Sequence, residues 1–161
     1  MGNFCFQATQ RKIYSEYKDG ILLYSVPISN GKKNGIQINY TPEGQLLSKM
    51  SYVDNVFNGN FELYSTSNFL KLECQFKNGK KHGTEYIYYS PYMVHIFRIY
   101  KKGKVIHEAY FEEHENIEEC CICFENTNYA LSCGHKVCPY CSKNIEQCPI
   151  CRRFLLQYMF F

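Results

Sequence analysis

Residues 120–151 read CCICFENTNYALSCGHKVCPYCSKNIEQCPIC and hold eight of the ten cysteines in a chain of 161 residues. Cys120 and Cys123, Cys138 and Cys141, and Cys148 and Cys151 form three C-x-x-C pairs, while Cys133 and His135 form a fourth pair, C-x-H. Two intervening residues let the backbone curl until both thiolates of a pair face one ion, with backbone N–H groups placed to bond the sulfurs. Four such pairs supply eight ligands, enough for two closed tetrahedral zinc sites. A disulfide framework is the competing reading. It would call for an oxidising compartment, whereas MGNFCFQATQRK at the N-terminus has no apolar run of signal-peptide length, and a histidine inside the series suits metal better than disulfides. Two zinc ions and a reducing compartment, cytoplasmic or nuclear, are therefore expected.

The order C-x2-C, C-x-H-x2-C-x2-C, C-x2-C resembles a RING finger of the C3HC4 type. The resemblance implies cross-braced ligation, with Cys120, Cys123, Cys138 and Cys141 on one zinc and Cys133, His135, Cys148 and Cys151 on the other. Cys121 is then a spare thiol, since Cys120 keeps two residues before Cys123. A function is implied as well. RING fingers hold a ubiquitin-charged conjugating enzyme and bias its thioester towards a lysine, so none of these cysteines is expected to carry ubiquitin. Three residues match the family's contact positions: Ile122 before the second ligand, Pro149 after the seventh, and Arg152 after the last, with Arg153 as a neighbouring fallback. A guanidinium suits the last role because its planar fork can satisfy carbonyls on two partners at once. The partners implied are a ubiquitin-conjugating enzyme, ubiquitin and a protein substrate. The alternative, of a different class, is a non-catalytic scaffold whose RING serves in dimerisation or docking; Ile122 then only caps a small core and Arg152 is merely solvated.

Between the last two pairs, SKNIEQ (142–147) reads as a helical turn or two with Ile145 facing the zinc core. The run CPICRR followed by a short apolar tail resembles RINGs of the inhibitor-of-apoptosis type, which implies a homodimer through the RING and tail. Equally, Phe154, Leu155 and Tyr158 can cover the RING's own core or the preceding segment.

Upstream, the chain repeats at a step of 24 residues: Gly35, Gly59 and Gly83; Tyr40, Tyr64 and Tyr88; Tyr52, Phe76 and Tyr100. Each unit reads turn, strand, turn, strand. GKKNG (31–35), NVFNG (55–59) and GKKHG (79–83) are the first turns, while TPEG (41–44), STSN (65–68) and SPY (90–92) are the second. Strands such as QLLSKMSY (45–52) and FLKLECQF (69–76) alternate with period two. An earlier unit is visible in ILLYSVPI (21–28), and a partial one follows Gly103. The glycine turns and tyrosine-ended strands over residues 10–111 resemble MORN-type repeats, with Asn55 and Asn60-Phe61 as departures. Such hairpins bury their apolar faces only beside neighbours, so they are expected to stack as a meander.

The fold expected is mainly β: a tail at 1–9, a MORN-like repeat region at 10–113 that selects the substrate, and a two-zinc RING at 114–161. The acidic run HEAYFEEHENIEE (107–119) joins the two parts. Residues 1–107 carry 14 Lys or Arg against 7 Asp or Glu, which reads as solvated lysines on hairpin edges; neither nucleic acid nor a membrane surface is expected as a partner. No segment approaches the ~20 apolar residues that cross a bilayer. Met1-Gly2-Asn3-Phe4-Cys5 opens like an acylation signal, but Phe6 stands where Ser or Thr is required. His82, His95, His107 and His114 lack ligand spacing and read as ordinary.

Overall fold

The computed structural model describes residues 11–112 and 116–155. The tail at 1–9, the boundary near residue 113, His114 and Tyr158 lie outside the described residues.

Ten strands form one antiparallel sheet: β1 (Arg11–Lys18), β2 (Ile21–Ser29), β3 (Lys32–Lys33), β4 (Gly35–Tyr40), β5 (Leu46–Val53), β6 (Val56–Tyr64), β7 (Leu70–Lys77), β8 (Lys80–Ser90), β9 (Met93–Lys101) and β10 (Lys104–Tyr110). The strands neighbour one another in chain order, with the short β3 added beside β2, so the sheet is a meander with β1 and β10 at its edges. Among the described residues no helix is long and apolar enough to cross a membrane.

The hairpin turns are tighter than the sequence reading had them. GKKHG is not a turn: β8 begins at Lys80, and only Asn78 and Gly79 lie between paired Lys77 and Lys80. Both turn residues have positive φ, 51° and 76°, the two-residue geometry whose twist matches that of the flanking strands. NVFNG behaves alike, with Asp54 and Asn55 at 49° and 68° between Val53 and Val56. In GKKNG, Lys32 and Lys33 already pair with β2. The glycines at the far ends of these segments serve a second purpose. Opposite β7, two extra residues of β8 bulge between Lys81 and Glu85, and Gly83 sits there at φ 89°. Gly59 occupies the equivalent bulge of β6 at φ 109°, where an added Cβ would lie 2.9 Å from Ser51 Cβ. A side chain is excluded there twice, by backbone conformation and by space.

The register gives each face a distinct character. One row runs Glu62, Glu73, Tyr86, Phe97, Ala109 across β6 to β10; the adjacent row, on the opposite face, runs Phe61, Cys74, Glu85, Arg98, Glu108. On that second face Phe57 stacks on Tyr52 at 4.8 Å and meets a tilted Phe76 at 5.4 Å, and Lys33 and Lys81 lie 5.0 Å over the rings of Tyr52 and Tyr100. The lysine stems cover apolar surface that a single-layer sheet would leave wet. Cys74 is buried in this row, and burial raises its thiol to about 11, so it is an inert packing residue.

Glu85 is the exceptional member. It is 1% exposed, and its carboxylate accepts bonds from Lys81, from Arg98 Nη1 at 3.1 Å and from the Tyr100 hydroxyl at 3.0 Å. Burial by itself would raise its pKa, but the bonds from Lys81 and Arg98 outweigh it and hold the carboxyl below its ordinary 4.5. A depressed folded-state pKa means stabilisation that is complete above the unfolded value and is lost as pH falls through the folded one. Glu85→Ala is expected to lower unfolding free energy by about 3–5 kcal/mol, because two cations lose their buried counter-ion. Urea unfolding between roughly pH 3 and pH 7 checks it: the variant should lose part of the wild type's acid sensitivity, and parallel curves would contradict the assignment.

Candidate metal centre

After the sheet come two short strands, β11 (Glu118–Glu119) and β12 (Asn126–Thr127), and one helical turn, α1 (Pro139–Ser142). So little regular structure cannot organise 40 residues without cross-links, and the side chains supply them. Cys120, Cys123, Cys138 and Cys141 converge with all ligand atoms within 4.8 Å of one another, as do Cys133, His135, Cys148 and Cys151. The first group takes the first and third sequence pairs, and the second group takes the other two.

The distances are those of metal ligands. A tetrahedral zinc with Zn–S bonds of about 2.3 Å separates its sulfurs by about 3.8 Å, and a Zn–N bond of about 2.05 Å sets nitrogen about 3.5 Å from sulfur. Cys123 and Cys138 sulfurs are 3.7 Å apart; His135 Nδ1 lies 3.5 Å from Cys133 Sγ and 3.4 Å from Cys148 Sγ. Nδ1 is therefore the histidine's ligand atom.

Local backbone geometry explains each pair. In the two outer knuckles the residue after the second cysteine is left-handed: Phe124 at φ 62° donates its N–H to Cys120 O at 2.9 Å, and Arg152 at φ 60° donates to Cys148 O at 2.8 Å. The same turn is thus built twice, returning both cysteines of a pair to one side. Cys133-Gly134-His135 turns through Gly134 at φ 89°, closed by Leu131 N–H to His135 O at 3.0 Å. Cys138 caps α1, its sulfur accepting from Cys141 N at 3.4 Å, with Pro139 preset for the first helical position. The helix expected over SKNIEQ is displaced to Pro139–Ser142, because the cap and the proline start it early and Lys143 ends it. Ile145 nevertheless packs against the core.

Burial acts on the thiols in competition with these amides. It would raise Cys120 and Cys148, but backbone N–H groups of Cys123, Cys138 and Ile122 bring Cys120 down to about 7, and those of Cys151 and Ile150 bring Cys148 to about 6. Cys138 is pushed by burial to about 11, and Cys141 is raised likewise. Four buried sulfurs cannot all be thiolate without a cation among them, so the donor set demands the metal it fits. Cys121 belongs to neither group; its amide bonds Lys136 O at 3.1 Å.

Ile122 lies between two ligands yet is 38% exposed, Pro149 and Ile150 are exposed, and Arg152 projects from its left-handed turn into solvent. Sequence reasoning missed the surface that docks this module on the sheet. Asn128, buried, accepts from Val94 N at 2.9 Å and donates to Val94 O at 2.6 Å, pairing with the β9 backbone as a strand would. Thr127 Oγ1 bonds Tyr92 O at 2.8 Å, Tyr129 and Tyr86 hydroxyls meet at 3.3 Å, and Lys143 pairs with Glu73. Tyr86, Tyr88 and Val94 share one buried cluster with Tyr129, Leu131, Val137 and Leu155. Buried polar groups in NTNY (126–129) are the only trace of this in the sequence, because the residues they serve lie 34 positions away or more. A cleft of about 950 Å³ opens between sheet and module, lined by Thr84, Phe97, Ile99, Leu131 and Leu155 among others.

Residues 116–158 match the family of zinc fingers of the C3HC4 type, the RING finger. The chain therefore carries a RING finger domain, and its two cysteine and histidine groups fit a two-zinc RING. The match covers the metal module and not the sheet, and no curated protein matches the chain.

Proposed function

We propose that this protein is a RING-type ubiquitin ligase, cross-braced by two zinc ions, whose MORN-like sheet selects a protein substrate in a reducing compartment. The observation that carries the reading is the exposed trio beside the knuckles: Ile122, Pro149 and Arg152. A solvated isoleucine between two ligands costs apolar exposure and gives the small domain an apolar contact for a conjugating enzyme. Arg152 is placed by a turn whose amide is already committed to Cys148, leaving the guanidinium to bridge carbonyls of the enzyme and of ubiquitin. No residue here attacks anything. The domain orients the charged enzyme, and the docked sheet holds the target at a set distance from it.

Self-ubiquitination by the zinc-loaded protein with a panel of conjugating enzymes tests the reading. Wild type is expected to be active, with Ile122→Ala and Arg152→Ala each about tenfold slower or worse, the range for losing a charge-assisted bond or a buried apolar contact. Both side chains point away from the core, so both variants should keep their zinc. Inactivity with every enzyme would favour the other reading, a scaffold in which the RING docks without catalysing transfer.

A further inference from the structure

Among the described residues, β1 is an edge of the sheet with no strand beyond it. β1 is an eight-residue edge strand, RKIYSEYK, with Ile13 74%, Tyr14 53% and Tyr17 62% exposed. Edge strands are normally blunted by bulges, prolines or shortness. β1 has none of these: its one register shift, between Glu16 and Tyr17, places the extra residue on β2, where Glu16 faces Tyr24 and Tyr17 faces Leu22. Its outer backbone groups thus form an uninterrupted row.

The charges on this strand are self-complementary. Antiparallel pairing of two copies about a two-fold axis at Tyr14 sets Lys12 opposite Glu16 twice, Arg11 opposite Tyr17, and Ile13 opposite Ser15. That register keeps like faces together, since Lys12, Tyr14 and Glu16 share the side on which Tyr14 meets Tyr24 at 5.8 Å. Moving the axis to Ser15 would set Lys12 against Lys18, and moving it to Ile13 would set Lys12 against Tyr14, so both alternatives lose the two ion pairs. The usual deterrent, a lysine on the edge, here finds a carboxylate on the partner.

We propose that β1 is a homodimerisation edge, joining two copies of this chain into one continuous sheet in the register Lys12 to Glu16. The RING packs on β8 and β9, six and seven strand spacings from β1 or about 29–34 Å at ~4.8 Å each, so the dimer carries its two RINGs at opposite ends. The proposal is independent of ligase activity.

Sedimentation equilibrium of the full, zinc-loaded chain across a concentration series tests it, with Lys12→Glu, Glu16→Lys and the double exchange. Wild type is expected to dimerise reversibly. Each single variant should raise the dissociation constant about tenfold or more, as two attractive cross-strand pairs become repulsive, and the double exchange should restore wild-type affinity. A monomer at every concentration overturns the proposal, as it would if residues preceding β1 covered the edge. A dimer indifferent to the single variants, or one not rescued by the double exchange, overturns it too, placing the contact elsewhere.

Discussion

Chelation of zinc is expected to unfold the C-terminal module and strip the cover from β8 and β9, while the rest of the sheet survives. Among its described residues the module has two two-residue strands, one helical turn and a handful of buried side chains, of which Leu131, Val137 and Leu155 are the main aliphatic ones. Three buried aliphatic side chains are far too few to offset the chain entropy of 40 ordered residues. Folding of such a module is coupled to metal binding, so apo module and folded module are exclusive states. The sheet stands differently: its turns are closed by local geometry and its strands bond neighbours in chain order. After EDTA treatment, hydrogen exchange should reach the limit for unfolded chain throughout 116–155, rise at Tyr86, Tyr88 and Val94, and change little in β4 to β6. Protection retained in the module after complete metal loss would show that packing alone folds it.

Tyr86→Ala should rank with Glu85→Ala among the most damaging single substitutions in the sheet, at about 3–5 kcal/mol. The ring is 2% exposed and meets Phe97 at 5.1 Å, Tyr129 at 5.7 Å and Tyr88 at 6.2 Å, so its loss opens a cavity between sheet and RING that neither can collapse to fill. Tyr86→Phe keeps the ring and gives up only the hydroxyl's contact with Tyr129, and should cost about 1 kcal/mol. The shape of the transition is the sharper readout. With the interface intact, sheet and RING should unfold together in denaturant when zinc is bound; in Tyr86→Ala the sheet should melt first, ahead of the metal-held RING. Separate transitions in the wild type would mean that the shared cluster does not couple the two parts.

Both experiments concern a coupling that the chain's order conceals. The metal ligands were readable from residue spacing because a C-x-x-C turn is a local object: two residues between cysteines suffice to aim both sulfurs, whatever surrounds them. The hairpins were readable for the same reason, since Asn78-Gly79 or Asn30-Gly31 dictates a two-residue turn through its own backbone preferences. Sequence and structure differ where two local signals compete. GKKHG holds two glycines, and only the register shows that Gly79 closes the turn while Gly83 lies in a bulge within the strand. SKNIEQ reads as helical, but Cys138 and Pro139 start the turn earlier.

By itself, then, the sequence determined the four ligand pairs, the mainly β character and roughly where the chain reverses, all properties of residues within a few positions of one another; which pairs share an ion is a matter of tertiary structure. Tertiary structure alone decided that Glu85 would be a buried ion at the centre of Lys81, Arg98 and Tyr100. It alone decided that the RING would sit on β8 and β9 rather than at the end of a linker. The physical reason is that burial is a property of partners distant in the chain: Asn128 carries no mark of Val94, and nothing in NTNY names the β9 backbone that its amide completes.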